Sequence, residues 1–257
     1  MLDPGESEIS DWLNVDDAVR AIQRHRSWVR GMKVRASTTA VGALGVMPVV
    51  LAKKAATEAG VLLMAHVGNA PPTLDEVCEI FGDGDVITHC FHGKIGGIVT
   101  QQGKALAAAV DAIERGVRLD VGHGSGSFSF EVAERAISLG LRPHHISTDL
   151  HRGNINGPVY SLAVTMSKML HLGVDLYEVI EASSLAPARC FGICEIGPVE
   201  SGGPANLSVF KVVEREFVAR DSYRAERTMS KLIEPRFAVV NGVLYEATNG
   251  LPEAARS

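Results

Sequence analysis

The chain has 257 residues, 46% of them apolar, and a formal net charge of −5 at pH 7. That length holds one large α/β domain or two smaller ones, and the apolar share excludes general disorder. A mildly negative chain without a basic stripe excludes nucleic acid as the main partner, and no apolar run reaches the roughly 18 residues of a membrane span.

The first residues, Met-Leu-Asp-Pro-Gly-Glu, are acidic and polar, unlike a signal peptide, and residues 1–13 read as a polar leader. Asn14 can cap a helix whose apolar face (Ala18, Val19, Ile22, Trp28, Val29) reaches about Arg30. Residues 32–36 then read as a short strand, with Lys33 in the middle of it, an uncommon place for an ammonium group. Gly42 and Gly45 mark a loop. Pro48 suits the first turn of a helix that runs to Ala59 and stops at Gly60. Residues 61–65 form the clearest strand, ending at His66. Thr73 and Glu76 make a capping box for a helix ending near Phe81.

Residues 86–88 carry the chain into His89, with His92 three residues later and Gly93, Gly96 and Gly97 opening the backbone beyond. An Ala-rich helix follows over 104–115 and ends at Gly116. Residues 117–121 read as a strand running into the loop Gly-His-Gly-Ser-Gly-Ser (122–127), which includes His123. A helix over 130–139 stops at Gly140. Residues 145–149 read as the next strand, ending in Asp149. Pro158 starts a helix to Leu172, Asp175 caps another, and a short helix covers 183–192. After Gly197 the pattern changes to strands over 206–210, 237–240 and 243–245, with Asn241-Gly242 as a hairpin turn. Cys78 and Cys90 lie in or beside apolar segments. Cys190 and Cys194 are four apart, without a second pair to complete a zinc site. Reduced, buried thiols of this kind predict a cytoplasmic protein.

Repeated β-α alternation predicts a parallel sheet covered by helices, followed by a small β-rich tail. Five predicted strands end, or nearly end, in Lys33, His66, His89, His123 and Asp149. In a (β/α) barrel the C-terminal strand ends face one mouth, so residues spread over the chain can serve one pocket. One such histidine means little, because strand-end histidines often only hydrogen-bond a carbonyl; five in succession carry far more weight. Neutral imidazoles and a carboxylate are zinc ligands. A lysine becomes one when carbon dioxide converts it to a carbamate. Metal-bound water is a nucleophile near neutral pH, and a carboxylate such as Asp149 can shuttle its proton.

Lys33 in Gly-Met-Lys-Val-Arg-Ala-Ser, His66 in Met-Ala-His-Val-Gly, His89 in Thr-His-Cys-Phe-His-Gly and Asp149 in Ser-Thr-Asp-Leu-His resemble the amidohydrolase superfamily, and within it the dihydroorotase-like amidohydrolase/deacetylase branch. The loop Asp-Val-Gly-His-Gly (120–124) and the tail Ala-Asn-Leu-Ser-Val-Phe (205–210) are similar to that branch as well. The resemblance implies a (β/α)8 TIM-type barrel with a small β-sandwich, a binuclear Zn²⁺ site, and hydrolysis of an amide or ester bond in a small acylated molecule. It implies Lys33 as the carbamylated bridge, His66 and His89 as ligands of the second metal, Asp149 as first-metal ligand and general base, and His123 facing the substrate. Deaminase or cyclic-imide hydrolase chemistry on the same scaffold is the alternative.

The chain departs from that pattern in lacking the first-strand His-x-His pair. By count the strand bearing Lys33 is the fourth of eight. The expected architecture is therefore an incomplete barrel, about strands 4–8, over residues 1–196, with part of the small β-domain over 197–257. This is read as a truncation, a break in the frame or a misassigned start, and it keeps open a non-catalytic relative. An incomplete barrel leaves open strand edges. The chain is accordingly expected to pair with a missing N-terminal segment or with another copy of itself, and to have no nucleic-acid or membrane partner.

Overall fold

The computed structural model describes residues 5–193 and 197–247; the start of the polar leader and Cys194 lie outside the described residues. The chain divides into two compact units, Met1–Asp120 with Arg135–Pro143, and Val121–Glu134 with His144–Ser257.

In the first unit, α1 (Val15–Arg24) begins where the Asn14 side chain accepts the Asp17 amide at 3.0 Å. Asp16 and Asp17 in its first turn face the positive end of the helix dipole. The helix stops short of the predicted Arg30. The Arg26 guanidinium donates to the carbonyls of Ala59 (3.3 Å) and Gly60 (2.9 Å), which draws the chain out of its helical path. Trp28, expected on the buried face, is 85% exposed. The predicted alternation then holds: β1 (Gly31–Ala36), the one-turn α2 (Thr38–Val41), α3 (Met47–Ala59), β2 (Leu62–Val67), α4 (Leu74–Ile80), β3 (Val86–Thr88), α5 (Ala107–Glu114) and β4 (Arg118–Asp120). Gly60, at φ 64°, ends α3, and both halves of the Thr73–Glu76 capping box are present.

The four strands form one parallel sheet in the order β1-β2-β3-β4. Register sets the rows across it: Lys33 beside Met64, Val86 and Arg118, then Arg35 beside His66, Thr88 and Asp120. Parallel partners point to the same face, so both rows share one side of the sheet, while Val34, Ala36, Leu63, Ala65 and Val67 are buried on the other.

Beyond β4 comes α6 (Phe130–Ser138). In the second unit, residues 145–149 do not make the regular fifth strand expected of them. They run extended beside 121–124, with Val121 N–H donating to His145 O (3.0 Å), His123 N–H to Ser147 O (3.3 Å) and Gly124 N–H to Thr148 O (3.0 Å). Only short pairing fits there, because Gly122, Gly124 and Asp149 all adopt left-handed backbone angles. Helix α7 (Leu162–His171) starts at Ser161, whose hydroxyl accepts Val164 N–H, and not at Pro158. It is followed by α8 (Leu176–Ser183) and α9 (Leu185–Cys190). The tail is an antiparallel sheet, β5 (Leu207–Arg220), β6 (Glu226–Val240) and β7 (Val243–Glu246). Asn241 (φ 49°) and Gly242 (φ 81°) form the expected hairpin turn. Its first two strands are far longer than predicted. Pro235 opposes Phe210 where the register shifts, the irregular spot at which a sheet tolerates proline. Buried Met229, Leu232 and Ile233 make the core here, and Ile233 N–H donates to Ser167 Oγ of α7 at 2.9 Å.

Asp85 fastens the first unit together. It is 1% exposed, and its carboxylate accepts Leu63 N–H at 2.9 Å, Gly82 N–H at 3.0 Å and the Lys53 ammonium. Its carbonyl accepts Arg118 N–H at 2.8 Å. Asp85→Ala leaves two backbone donors without their acceptor, and the expected loss is about 3 kcal/mol of unfolding free energy. Urea denaturation of the variant beside the parent chain measures it.

Candidate active site

The five residues singled out from the sequence divide between the two units. Lys33, His66 and His89 belong to the first, and His123 and Asp149 to the second.

In the first unit, the β1–β2–β3 register brings His66 next to the end of β3, where His89 turns out of the strand with φ 69°. That angle lies in the left-handed region, which residues other than glycine seldom adopt. It brings the two rings into an edge-on contact, centroids 4.3 Å apart and planes at 80°. His66 is pushed down to about 3, first by burial, then by His89, Arg35, Lys94 and Lys33. It is therefore a neutral nitrogen donor at any physiological pH. Lys94 is itself pushed down, by burial and by Arg35. Three cationic side chains, Lys33, Arg35 and Lys94, thus act on one imidazole. Among them only Arg35 has a carboxylate partner among the described ion pairs, Glu6 at 3.5 Å on an exposed edge. Gly68 makes room for this cluster: a Cβ there would sit 3.1 Å from both Lys94 Nζ and Ser37 Oγ.

His92 lies apart from the pair as a buried ring whose Nδ1 accepts Lys94 N–H at 3.2 Å, which places its proton on Nε2. Burial, Lys94 and His89 push it down to about 4. A Cβ at Gly97 would meet its Cε1 at 3.1 Å. On the row that holds His66, Thr88 Oγ1 donates to the buried carboxylate of Asp120. Cys78 and Cys90 are buried free thiols, and burial pushes Cys78 up to about 12.

In the second unit, Asp149 is exposed and takes φ 47°. Its carbonyl accepts Asn154 Nδ2–H at 2.9 Å. A Cβ on Gly124 would stand 3.0 Å from Asp149 Oδ2, so that glycine leaves the carboxylate its space. His123 is fully buried, and both ring nitrogens are engaged within the unit: Nδ1 is 2.9 Å from Gly124 O and Nε2 is 2.6 Å from Lys168 Nζ. Nearby, Ser125 Oγ lies 3.0 Å from His151 Nε2, but His151 Nδ1 accepts Gly153 N–H, so Nε2 holds the proton and cannot act as base to that serine.

Sequence reading missed Lys94 among the cations acting on His66, and the buried Lys168. For Lys94 the signal was its closeness to the glycines after His92. For Lys168 it was a lysine inside an otherwise apolar helical run. Among the described residues, no three His, Cys, Asp or Glu side chains form a group of metal-binding size. The donors in the first unit still fit a metal that has an anionic bridging ligand: two adjacent imidazoles, one held neutral, and a lysine among cations whose conversion to a carbamate would replace repulsion by attraction.

The amidohydrolase family model matches residues 29–244. A deacetylase of Agrobacterium fabrum is 39% identical over 253 residues, 98% of this chain and 62% of that protein. A deacetylase of Brucella anthropi is also 39% identical over 253 residues, 98% of this chain and 63% of its own length. The present chain thus spans less than two thirds of these relatives. Among solved structures, an adenine deaminase superposes with a TM-score of 0.91 at 38% identity, covering 95% of this chain and 67% of that one. A dihydroorotase superposes with 0.89 at 39% identity, covering 98% and 66%.

Three histidines, His92 and His123 buried and His66 half-buried, are held below their ordinary pKa and make stability depend on pH. His66 and His123 lie near 3 and His92 near 4, all below the usual 6.5. Between those values and 6.5 the unfolded chain binds the extra protons, so their contribution is complete above about pH 6.5 and falls away as pH drops. The urea midpoint is expected to be lower at pH 5 than at pH 7.5, and in histidine NMR titrations all three rings stay neutral at pH 5.

Proposed function

Because this chain belongs to the amidohydrolase family, we propose that it carries the larger part of a metal-dependent hydrolase, one that removes an acyl group from a small amide or ester. The observation that supports this most directly is the T-shaped His66–His89 pair, with Lys33, Arg35 and Lys94 all acting on His66. The deacetylase names of the most similar relatives favour the acyl-cleaving form of the chemistry. The full architecture proposed is a (β/α)8 barrel of which residues 1–196 supply a part, with residues 197–257 contributing to a small β-domain.

In this reading His66 and His89 would hold the second Zn²⁺, Asp149 would be a ligand of the first, and Lys33, as a carbamate, would supply the anionic ligand shared with them. The metals, when bound, supply a water acidic enough to attack at neutral pH. The chain's own residues do the rest. Burial and the neighbouring cations keep His66 unprotonated, so its lone pair stays available through the physiological range. Arg35 and Lys94 offer the carbamate positive charge, which favours its formation on Lys33 over the free ammonium. The exposed Asp149 carboxylate takes the proton from the nucleophile and passes it to the leaving nitrogen or oxygen. The roles of Lys33 and Asp149 rest on motif order in the sequence. The expected location is the cytoplasm, with free thiols at Cys78 and Cys90.

Deamination or opening of a cyclic imide is the second reading, favoured by the adenine deaminase and the dihydroorotase that superpose so closely. A panel of acetylated amides and esters, with adenine and dihydroorotate beside it, separates the two when assayed with Zn²⁺ and bicarbonate. Turnover of acetylated substrates is expected. A panel with no turnover favours a non-catalytic relative, or a chain that needs a complementing segment. Lys33→Ala is expected to lower any turnover at least about a hundredfold, and ¹³C-bicarbonate should give the parent chain, and not the variant, a carbamate carbon signal. Full activity in Lys33→Ala removes the carbamate from the assignment.

A further inference from the structure

Lys168 has no part in the chemistry above, yet it is the most unexpected side chain in the second unit. It sits on α7 within an uninterrupted buried run, Ala163 to Met169, and is 0% exposed. A methionine would fill the same space without removing a charge from water. The lysine instead meets three acceptors: His123 Nε2 at 2.6 Å, Pro158 O at 2.8 Å and Arg220 O at 2.7 Å. Burial pushes Lys168 down to about 7, so at pH 6 the ammonium prevails, and with three N–H donors and no lone pair it gives one to each acceptor. Facing Nζ at 5.6 and 5.7 Å are the rings of Phe128 and Phe130, and Asp221 adds negative charge nearby.

This fixes the chemistry of His123. With Nε2 accepting from Lys168, the ring proton lies on Nδ1 and is donated to Gly124 O at 2.9 Å. Phe128 stacks on the imidazole at 4.5 Å and 23°. Gly124 O also accepts from Ser222 Oγ at 3.0 Å, while Gly124 N–H is bound to Thr148 O, the residue before Asp149. The loop carrying Gly124 is therefore held from one side by an imidazole and is attached on the other to the segment that presents the carboxylate. Gly124 itself lies under Asp149 Oδ2.

We propose that Lys168 is a positioning residue for Asp149: its three donors lock the His123 ring with the proton on Nδ1, and that ring fixes the glycine loop against the carboxylate. The proposal rests on the reading of Asp149 as the general base, and its test does not require turnover.

In the labelled full-length chain at pH 6, ¹⁵N NMR is expected to show His123 protonated at Nδ1 and bare at Nε2. A proton on Nε2 overturns the proposal without any variant. In Lys168→Met the ring is expected to populate both tautomers, the Gly124 amide to exchange at least about tenfold faster, and the Asp149 carboxyl ¹³C signal to move. Unchanged Gly124 exchange with an unmoved Asp149 signal defeats it. Should Lys168→Met not fold, His123→Gln applies the same test, since it keeps an acceptor for Lys168 but loses the ring's reach to Gly124. In an active preparation the expected kinetic effect of Lys168→Met is a fall in kcat of about tenfold with KM unchanged. Absence of turnover in the parent chain counts against the hydrolase reading, while the ring, amide and carboxyl signals still decide the role of Lys168.

Discussion

One carboxylate sets the frame on which the first unit is built. Asp85 takes an amide from the start of β2, one from the turn before β3 and the ammonium of Lys53 on α3, and its own carbonyl takes the first amide of β4. Three parallel strands and a helix are thereby indexed to a single residue. Register matters because side chains alternate along a strand: a slip of one position turns each to the opposite face. His66 would then point into the helix-covered layer, and the row Arg35, His66, Thr88, Asp120 would not exist. The chemistry at the strand ends thus depends on a polar contact at the strand beginnings.

The electrostatics at those ends follow from composition on one face. The chain as a whole is negative, yet the residues acting on His66 are cationic. Such an arrangement is unfavourable for a protonated imidazole and favourable for an anion, whether one attached to the protein or one brought by a ligand. The second unit handles charge in the opposite way. Its buried lysine meets three neutral acceptors and two aromatic faces at short range, which offset part of the cost of burial, and burial still pushes it down to about 7.

Much of this was legible in the sequence. Helix stops at Gly60, Gly116 and Gly140, the Thr73 capping box and the Asn241-Gly242 turn are local chemistry and stand where expected. The strand before His89 begins and ends at the predicted residues. Long-range contacts defeated the rest. The α1 terminus is set by Arg26 reaching carbonyls more than thirty residues away. The lengths of β5 and β6 were hidden because exposed charged residues such as Glu214 and Lys231 occupy their outer positions, and a proline such as Pro235 is rare inside a strand. Strand-end histidines were visible as a set, and the resemblance already set His66 and His89 apart from His123; what the sequence did not show is the ring contact of the first two, the hold of Lys94 N–H on His92 and the enclosure of His123 by Lys168 and Phe128.

Left-handed backbone angles at His89 and Asp149 have a consequence for how such a protein changes under selection. Glycine, and to a lesser degree asparagine, adopts those angles with less strain, so replacing either residue relieves backbone tension. A library sorted for thermal resistance alone would therefore drift towards glycine at 89 and 149, erasing an imidazole and a carboxylate while improving its score. Persistence of these two side chains in a lineage would mark selection on chemistry rather than on folding.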